Sequence, residues 1–203
     1  AGAVDEGTAS RLVASLAVDE DQLAIRPQGV LARRLIRTTD VTSGESRWTG
    51  RGTALVTGGT GAIGARVARW LAEHGTPQIV LTSRSGALAN GAARLAAELA
   101  EAGSTAVVLR ADVSRRDDVT GLLASVINLK AVVHTAGVVD DGVLDRLDVD
   151  RFETVLGAKA RGADLLDELT SDLDAFVLFS SSAATFGGGG QGNYAAANAT
   201  WMR

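Results

Sequence analysis

Cysteine is absent from the 203-residue chain, proline occurs twice, methionine and tyrosine once each, and aromatic residues make up only 4%. Without cysteine there is no disulfide scaffold and no cysteine-ligated metal, and the sequence predicts no metal site. So few aromatics leave no stacking platform for single-stranded nucleic acid. No apolar run approaches the ~18 residues a membrane span needs. The start, Ala1-Gly2-Ala3-Val4-Asp5, lacks the charged, then apolar layout of a signal peptide. A net charge of −4 provides no basic footprint for nucleic acid or an anionic membrane. Core material is plentiful: 46% hydrophobic against 22% charged residues predicts a folded, soluble, cytoplasmic protein. The first residue is not methionine, so the chain reads as part of a longer one.

Residues 1–50 read apart from the rest. Thr8 or Ser10 is expected to cap a short helix carrying Leu12, Val13 and Leu16 on one face. Leu23 and Ile25 alternate with other residues, Pro27-Gln28-Gly29 supplies a turn, and Val30 to Ile36 reads as a returning strand. The polar stretch from Arg37 to Gly52 reads as a linker. A helix and a hairpin bury too little surface to stand alone, so this segment is expected to complete another folding unit.

Residues 51–203 alternate strand with helix. Short apolar runs fall at Ala54-Leu55-Val56, Ile79-Val80-Leu81, Ala106-Val107-Val108-Leu109, Ala131-Val132-Val133 and Phe176-Val177-Leu178-Phe179. In the first intervening helix Ile63, Val67, Trp70 and Leu71 form an apolar stripe that Gly75 ends. The pattern predicts an α/β fold, a Rossmann-like doubly wound parallel sheet with its ligand site beyond the carboxyl ends of the strands. The last helix starts near Tyr194 and the chain stops at Arg203, so the sheet is expected to be cut short, with its lid and last strands missing.

Thr57-Gly58-Gly59-Thr60-Gly61-Ala62-Ile63-Gly64 follows the first strand and opens the first helix. Gly58 allows the tight turn, Gly61 lets backbone N–H groups approach a pyrophosphate, and Gly64 permits close helix–strand packing. The second strand runs into Ser83-Arg84-Ser85, and no acid lies between Glu73 and Glu98. A carboxylate there would bond a ribose hydroxyl; a guanidinium with hydroxyls suits a 2′-phosphate, which favours NADPH over NADH. Asp112-Val113, ending the third strand, is placed beside the adenine.

Tyr194 opens a helix behind a glycine loop, with Asn198 four residues on, and Ser181 follows the strand that ends at Phe179. Lys159 falls in the apolar stripe of a helix through Phe152, Val155, Leu156, Ala163 and Leu166. A buried lysine needs a partner unless it snorkels outward. Placed beside the phenol, its ammonium would favour phenolate and make Tyr194 a general acid toward a carbonyl oxygen. Ser181 would donate a second hydrogen bond to that oxygen.

These motifs, with His134-Thr135-Ala136-Gly137, Phe179-Ser180-Ser181 and Tyr194-Ala195-Ala196-Ala197-Asn198, resemble the ketoreductase domains of modular type I polyketide synthases, within the short-chain dehydrogenase/reductase superfamily. Most of that superfamily carries lysine four residues after the tyrosine. These ketoreductases are similar to one another in a swapped arrangement, with asparagine there and lysine far upstream, as at Asn198 and Lys159. The resemblance covers residues 53–203, and residues 1–50 resemble the tail of the family's structural subdomain, which binds no cofactor. It implies that NADPH, held also by Thr135, Ala136 and Gly137, reduces a 3-oxoacyl chain. That chain is carried on the phosphopantetheine of an acyl carrier protein, beside other domains of the same synthase module. Tyr194, Ser181, Lys159 and Asn198 are the implied catalytic set, with Asn198 supporting a proton relay. Val139-Asp140-Asp141 resembles the Leu-Asp-Asp signature of B-type ketoreductases, which give the D-configured hydroxyl. Phe186 stands where A-type domains carry tryptophan, and Ala196 stands where a proline marks the epimerising subtype, so the B1 subtype is expected.

Two other readings compete. An extended short-chain dehydrogenase or epimerase acting on a sugar nucleotide shares the glycine spacing but needs lysine where Asn198 stands. A non-catalytic scaffold would keep cofactor binding without turnover.

Overall fold

The computed structural model describes residues 5–20, 22–37 and 49–201. The chain divides into two compact units, 1–46 and 47–203.

In the first unit, helix α1 (Glu6–Ser15) is followed by an antiparallel hairpin of β1 (Leu23–Arg26) and β2 (Gly29–Ala32). The cap differs from expectation. Asp5, not Thr8 or Ser10, is the N-cap, its carboxylate accepting the Thr8 amide at 2.6 Å. Asp5 sits one residue before the first helical turn, and its carboxylate also complements the helix dipole. Leu12, Val13 and Leu16 are exposed, and Leu16 lies just past the helix. The returning strand stops at Ala32, short of Ile36. Most of the expected linker, 38–48, lies outside the described residues.

The second unit is a five-stranded sheet ordered β5-β4-β3-β6-β7, every neighbouring pair parallel. Its strands are β3 (Thr53–Thr57), β4 (Gln78–Ser83), β5 (Thr105–Arg110), β6 (Leu129–His134) and β7 (Ala175–Leu178). Helices α2 (Ala62–Glu73) and α3 (Ala92–Glu101) cover one face; α4 (Arg116–Ala124) and α6 (Gly162–Leu169) cover the other. Strand side chains alternate between the faces. Ala54 and Val56 join Ile79, Leu81, Leu71 and Leu99 in one core, whereas Leu55 joins Val80, Val132, Leu122 and Leu166 in the other. Each leucine buried this completely stabilises the fold by about 2 kcal/mol. With both faces covered, the central strands are continuously apolar, which is why they read as runs rather than alternations.

The stripe expected on α2 is only partly core. Leu71 is buried, but Ile63 and Trp70 are exposed, and the face pressed on the sheet carries Gly64, Ala68, Leu71 and Ala72. Small residues let the helix axis approach the strands, so the bulkier side chains are turned to the flank. The short connection from α4 to β6 closes through Asn128, in the left-handed region at φ 52°. Among the described residues no helix is long and apolar enough to cross a membrane.

Candidate active site

Strand order reverses between β3 and β6, and their carboxyl ends open a crevice of about 680 Å³. β3 ends at Thr57 and the chain turns at Gly58, with φ 65°; a Cβ there would stand 2.8 Å from the backbone of Ala136. At Gly64 a Cβ would come 2.4 Å from the Gly58 carbonyl, so the first turn of α2 presses on the loop. Gly61 is the N-cap of α2 and provides no side-chain cap, leaving the N–H groups of Ala62 and Ile63 to face the crevice end.

Gly58, Thr60, Gly61, Ala62 and Ile63 form one wall of this crevice, and Ser83 and Arg84 another. Asp112 and Val113 lie across from the loop, with Thr135, Ala136 and Gly137 at the end of β6. Ser85 lies outside the crevice lining, exposed, where the chain enters a short helical turn at Gly86–Leu88. Burial works to raise the Asp112 carboxyl, but the Ser114 hydroxyl and amide, helped by Arg84 and Arg115, outweigh it and hold the group below the usual carboxylate range. Thr82, which the sequence reading passed over, lines the crevice with a buried hydroxyl that has no hydrogen-bond partner. That unpaired hydroxyl, the glycine cradle and the Arg84 guanidinium fit a phosphorylated dinucleotide.

The catalytic candidates lie at the neighbouring end. α5 (Val149–Leu156) runs into α6 through a π-turn at Gly157–Arg161, a widened turn that carries Lys159. Lys159 is 5% exposed; it does not snorkel. Its Nζ donates to the Phe179 carbonyl at 2.6 Å and lies 5.9 Å from the centroid of the Tyr194 ring. Burial pushes its ammonium down to about 8. Its stem closes on the crevice, because a Cβ at Gly137 would stand 3.3 Å from Lys159 Cε.

His134, fully buried, braces this arrangement. Its Nε2 lies 3.0 Å from the Lys159 carbonyl and its Nδ1 2.6 Å from the Thr57 hydroxyl. A carbonyl only accepts, so Nε2 carries the proton and the Thr57 hydroxyl donates to Nδ1. Burial, with the Lys159 ammonium adding to it, pushes the imidazole down to about 4. The ring therefore links the phosphate loop to the π-turn as a neutral group.

Tyr194 is the third residue of α8 (Gly192–Ala199). Asn198 is buried, donates to the Tyr194 carbonyl at 2.8 Å, and keeps Oδ1 without a partner. Ser181 accepts the Ala183 amide at 3.2 Å, leaving its hydroxyl proton available, at the entrance to α7 (Ala183–Phe186), which packs on α8. The structure thus brings Lys159, Tyr194 and Asn198 to one place, with Ser181 in the segment leading to it. Val139 and Phe186 are exposed, while Asp140 and Asp141 are engaged by Arg151 and Gln191, neither of which the sequence reading singled out. Among the described residues no cluster of His, Asp and Glu suits a metal ion.

A family model described as the KR domain matches residues 52–201. The chain belongs to the ketoreductase (KR) domains of modular polyketide synthases. It is 50% identical to polyketide synthase GfsA of Streptomyces halstedii, across 97% of this chain and 3% of that protein. It is 44% identical to the pikromycin polyketide synthase component PikAIII of Streptomyces venezuelae, across 96% of this chain and 13% of that protein. A solved A-type ketoreductase from a modular polyketide synthase superposes with a TM-score of 0.88 at 49% identity, over 98% of this chain and 44% of its own. The KR chain therefore spans a small part of these synthases and less than half of that solved ketoreductase.

Proposed function

We propose that this KR domain uses NADPH to reduce the β-keto group of a 3-oxoacyl thioester, delivered on the phosphopantetheine of an acyl carrier protein within a cytoplasmic synthase module. In this reading residues 51–203 are the catalytic part and residues 1–50 the tail of a structural subdomain. The observation that carries it is the burial of Lys159 with its Nζ directed at the Phe179 carbonyl and 5.9 Å from the Tyr194 ring centroid. A buried ammonium held by one carbonyl and the face of the Trp201 ring, 5.1 Å away, has no carboxylate partner and is costly unless it serves a charge that appears nearby.

Gly58, Gly61, Ser83, Arg84, Asp112 and Thr135 support a phosphorylated dinucleotide in the crevice. When bound, NADPH supplies the hydride. Tyr194 gives its phenolic proton to the substrate oxygen, and the Lys159 ammonium stabilises the phenolate left behind. Ser181 donates a hydrogen bond to the same oxygen as its charge develops. Asn198, with its unpaired Oδ1, supports the path by which the phenol is reprotonated.

Val139-Asp140-Asp141 and Ala196 support a D-configured product and the B1 subtype. The 49% identity to a solved A-type ketoreductase supports the A subtype instead. We favour the loop, because whole-chain identity reports mostly the fold, whereas configuration is decided by residues over the substrate. Stopped-flow NADPH oxidation with a 3-oxoacyl thioester, followed by chiral analysis of the hydroxyacyl product, tests both parts. Cofactor binding without oxidation overturns the reductase reading; an L-configured product overturns the subtype.

A further inference from the structure

One side chain in the described structure makes more polar contacts than the mechanism above assigns it. Arg151, in the first turn of α5, places Nε and Nη2 on Asp140 Oδ1 at 3.0 and 2.6 Å. Its Nη2 also donates to the carbonyls of Asp140 at 3.3 Å and Asp141 at 2.6 Å, and its Nη1 to that of Arg146 at 2.8 Å. Three of its acceptors are thus backbone, so the guanidinium folds the acidic loop around itself rather than merely pairing with a charge. The fit is close: a Cβ at Gly142 would stand 2.5 Å from Arg151 Nη1.

The loop so gathered is fastened to the tyrosine helix. Asn193 Nδ2 donates to the Asp140 carbonyl at 2.8 Å, while its Oδ1 accepts the Tyr194 amide at 2.8 Å. Gln191 Nε2 reaches Asp141 Oδ2 at 3.0 Å, and the Gly142 amide donates to the Gly190 carbonyl at 2.8 Å. Asn193 is fully buried and satisfied on both sides, so the joint is built in and not a surface accident. α5 also presents Glu153 and Thr154 to the crevice.

We propose that Arg151 is a positioning residue: by clasping the Val139-Asp140-Asp141 loop to the start of the tyrosine helix, it decides which face of the substrate carbonyl is reduced. The proposal rests on the reductase reading above and assigns the configuration to the placement of the loop. Asp140 acts in it as an anchor for the guanidinium. A tethered carbonyl meets hydride on one face only if the loop beside Tyr194 cannot swing away, and a loosened loop admits both faces.

Arg151→Met keeps the length of the side chain and removes every donor; Arg151→Lys restores the charge without the fork. With NADPH and a 3-oxoacyl thioester, Arg151→Met is expected to give a mixture of configurations and a kcat/KM lower by about tenfold, with Arg151→Lys recovering part of the selectivity. NADPH affinity, read by cofactor fluorescence, should stay within about twofold, since no contact in the glycine cradle changes. Independently of turnover, amide exchange in segments 138–143 and 187–193 should accelerate by about tenfold in Arg151→Met while the β3 amides stay protected. Unchanged product configuration in Arg151→Met, or unchanged exchange in those segments, overturns the proposal. If the parent chain binds NADPH and does not turn over, the reductase reading fails, and the exchange measurement still decides whether the clasp exists.

Discussion

Gly58, Gly59 and Gly64 shape the cofactor end of the site by side chains they lack, whereas Lys159, His134 and Asn193 shape the other end by hydrogen bonds they make. At the first end an added Cβ collides with backbone: 2.8 Å from the Val56 carbonyl at Gly59 and 2.4 Å from the Gly58 carbonyl at Gly64. At the second end a buried amine, imidazole and amide are each satisfied by groups from another element. Steric exclusion tolerates no added volume, and polar burial tolerates no lost partner. The two ends should therefore fail in different ways when altered.

The sharpest separation comes from Tyr194→Phe, which removes one oxygen and little volume. Reduction is expected to fall by about a thousandfold, the contribution of a positioned general acid, while NADPH affinity measured by fluorescence changes little. Comparable turnover in the variant would remove Tyr194 as the acid. Gly64→Val should do the reverse, weakening NADPH by about tenfold or more and destabilising the unit by about 1–3 kcal/mol through overpacking. Gly121→Ala, in α4 with nothing within 4 Å of the new Cβ, is its control, and should stabilise by about 0.5–1 kcal/mol. Equal effects from the two glycine changes in thermal melts and cofactor titrations would show that the close approach at Gly64 does not matter.

A smaller effect tests the charge at the cofactor end. Arg84 is exposed on the crevice wall beside Asp112. Arg84→Glu sets like charge against a 2′-phosphate and should weaken NADPH by about tenfold while leaving NADH nearly unchanged. An unaltered ratio of the two affinities would take Arg84 out of the site.

The same contrast explains what could be read in the sequence. The glycine loop is local: strand end, turn and helix start fall within eight residues, Thr57 to Gly64, and each glycine answers a nearby backbone demand. Lys159 announced itself as a charge in an apolar stripe, although nothing in the spacing foretold the π-turn beneath it. Periodicity found a stripe on α2 but chose the bulky side, because hydrophobicity does not record that Gly64, Ala68 and Ala72 permit the closer approach. Thr82 looks like any strand threonine until its hydroxyl is seen unpaired. The Arg151 clasp joins residues 11 and 53 positions apart, through the Asp140 carbonyl, which leaves no mark on composition.

The smallest effect in activity, and the most direct on the brace itself, is acid sensitivity from His134. Its imidazole is held at about 4 in the fold against 6.5 when free, so between those values the unfolded chain binds a proton that the folded chain refuses. Stability carried by the neutral ring is whole above pH 6.5 and drains as pH falls toward 4, by about 3 kcal/mol in all. The lowered carboxyls at Asp5, Glu20, Asp112 and Asp140 lose their share mainly below about pH 5, at the acid edge of that window. His134→Gln keeps a donor for the Lys159 carbonyl and does not titrate. In urea unfolding its stability should be nearly flat from pH 7 to 4.5 where the parent declines. If the two fall in parallel, the proton is taken up elsewhere, and the bond between Thr57 and the π-turn does not depend on a neutral ring.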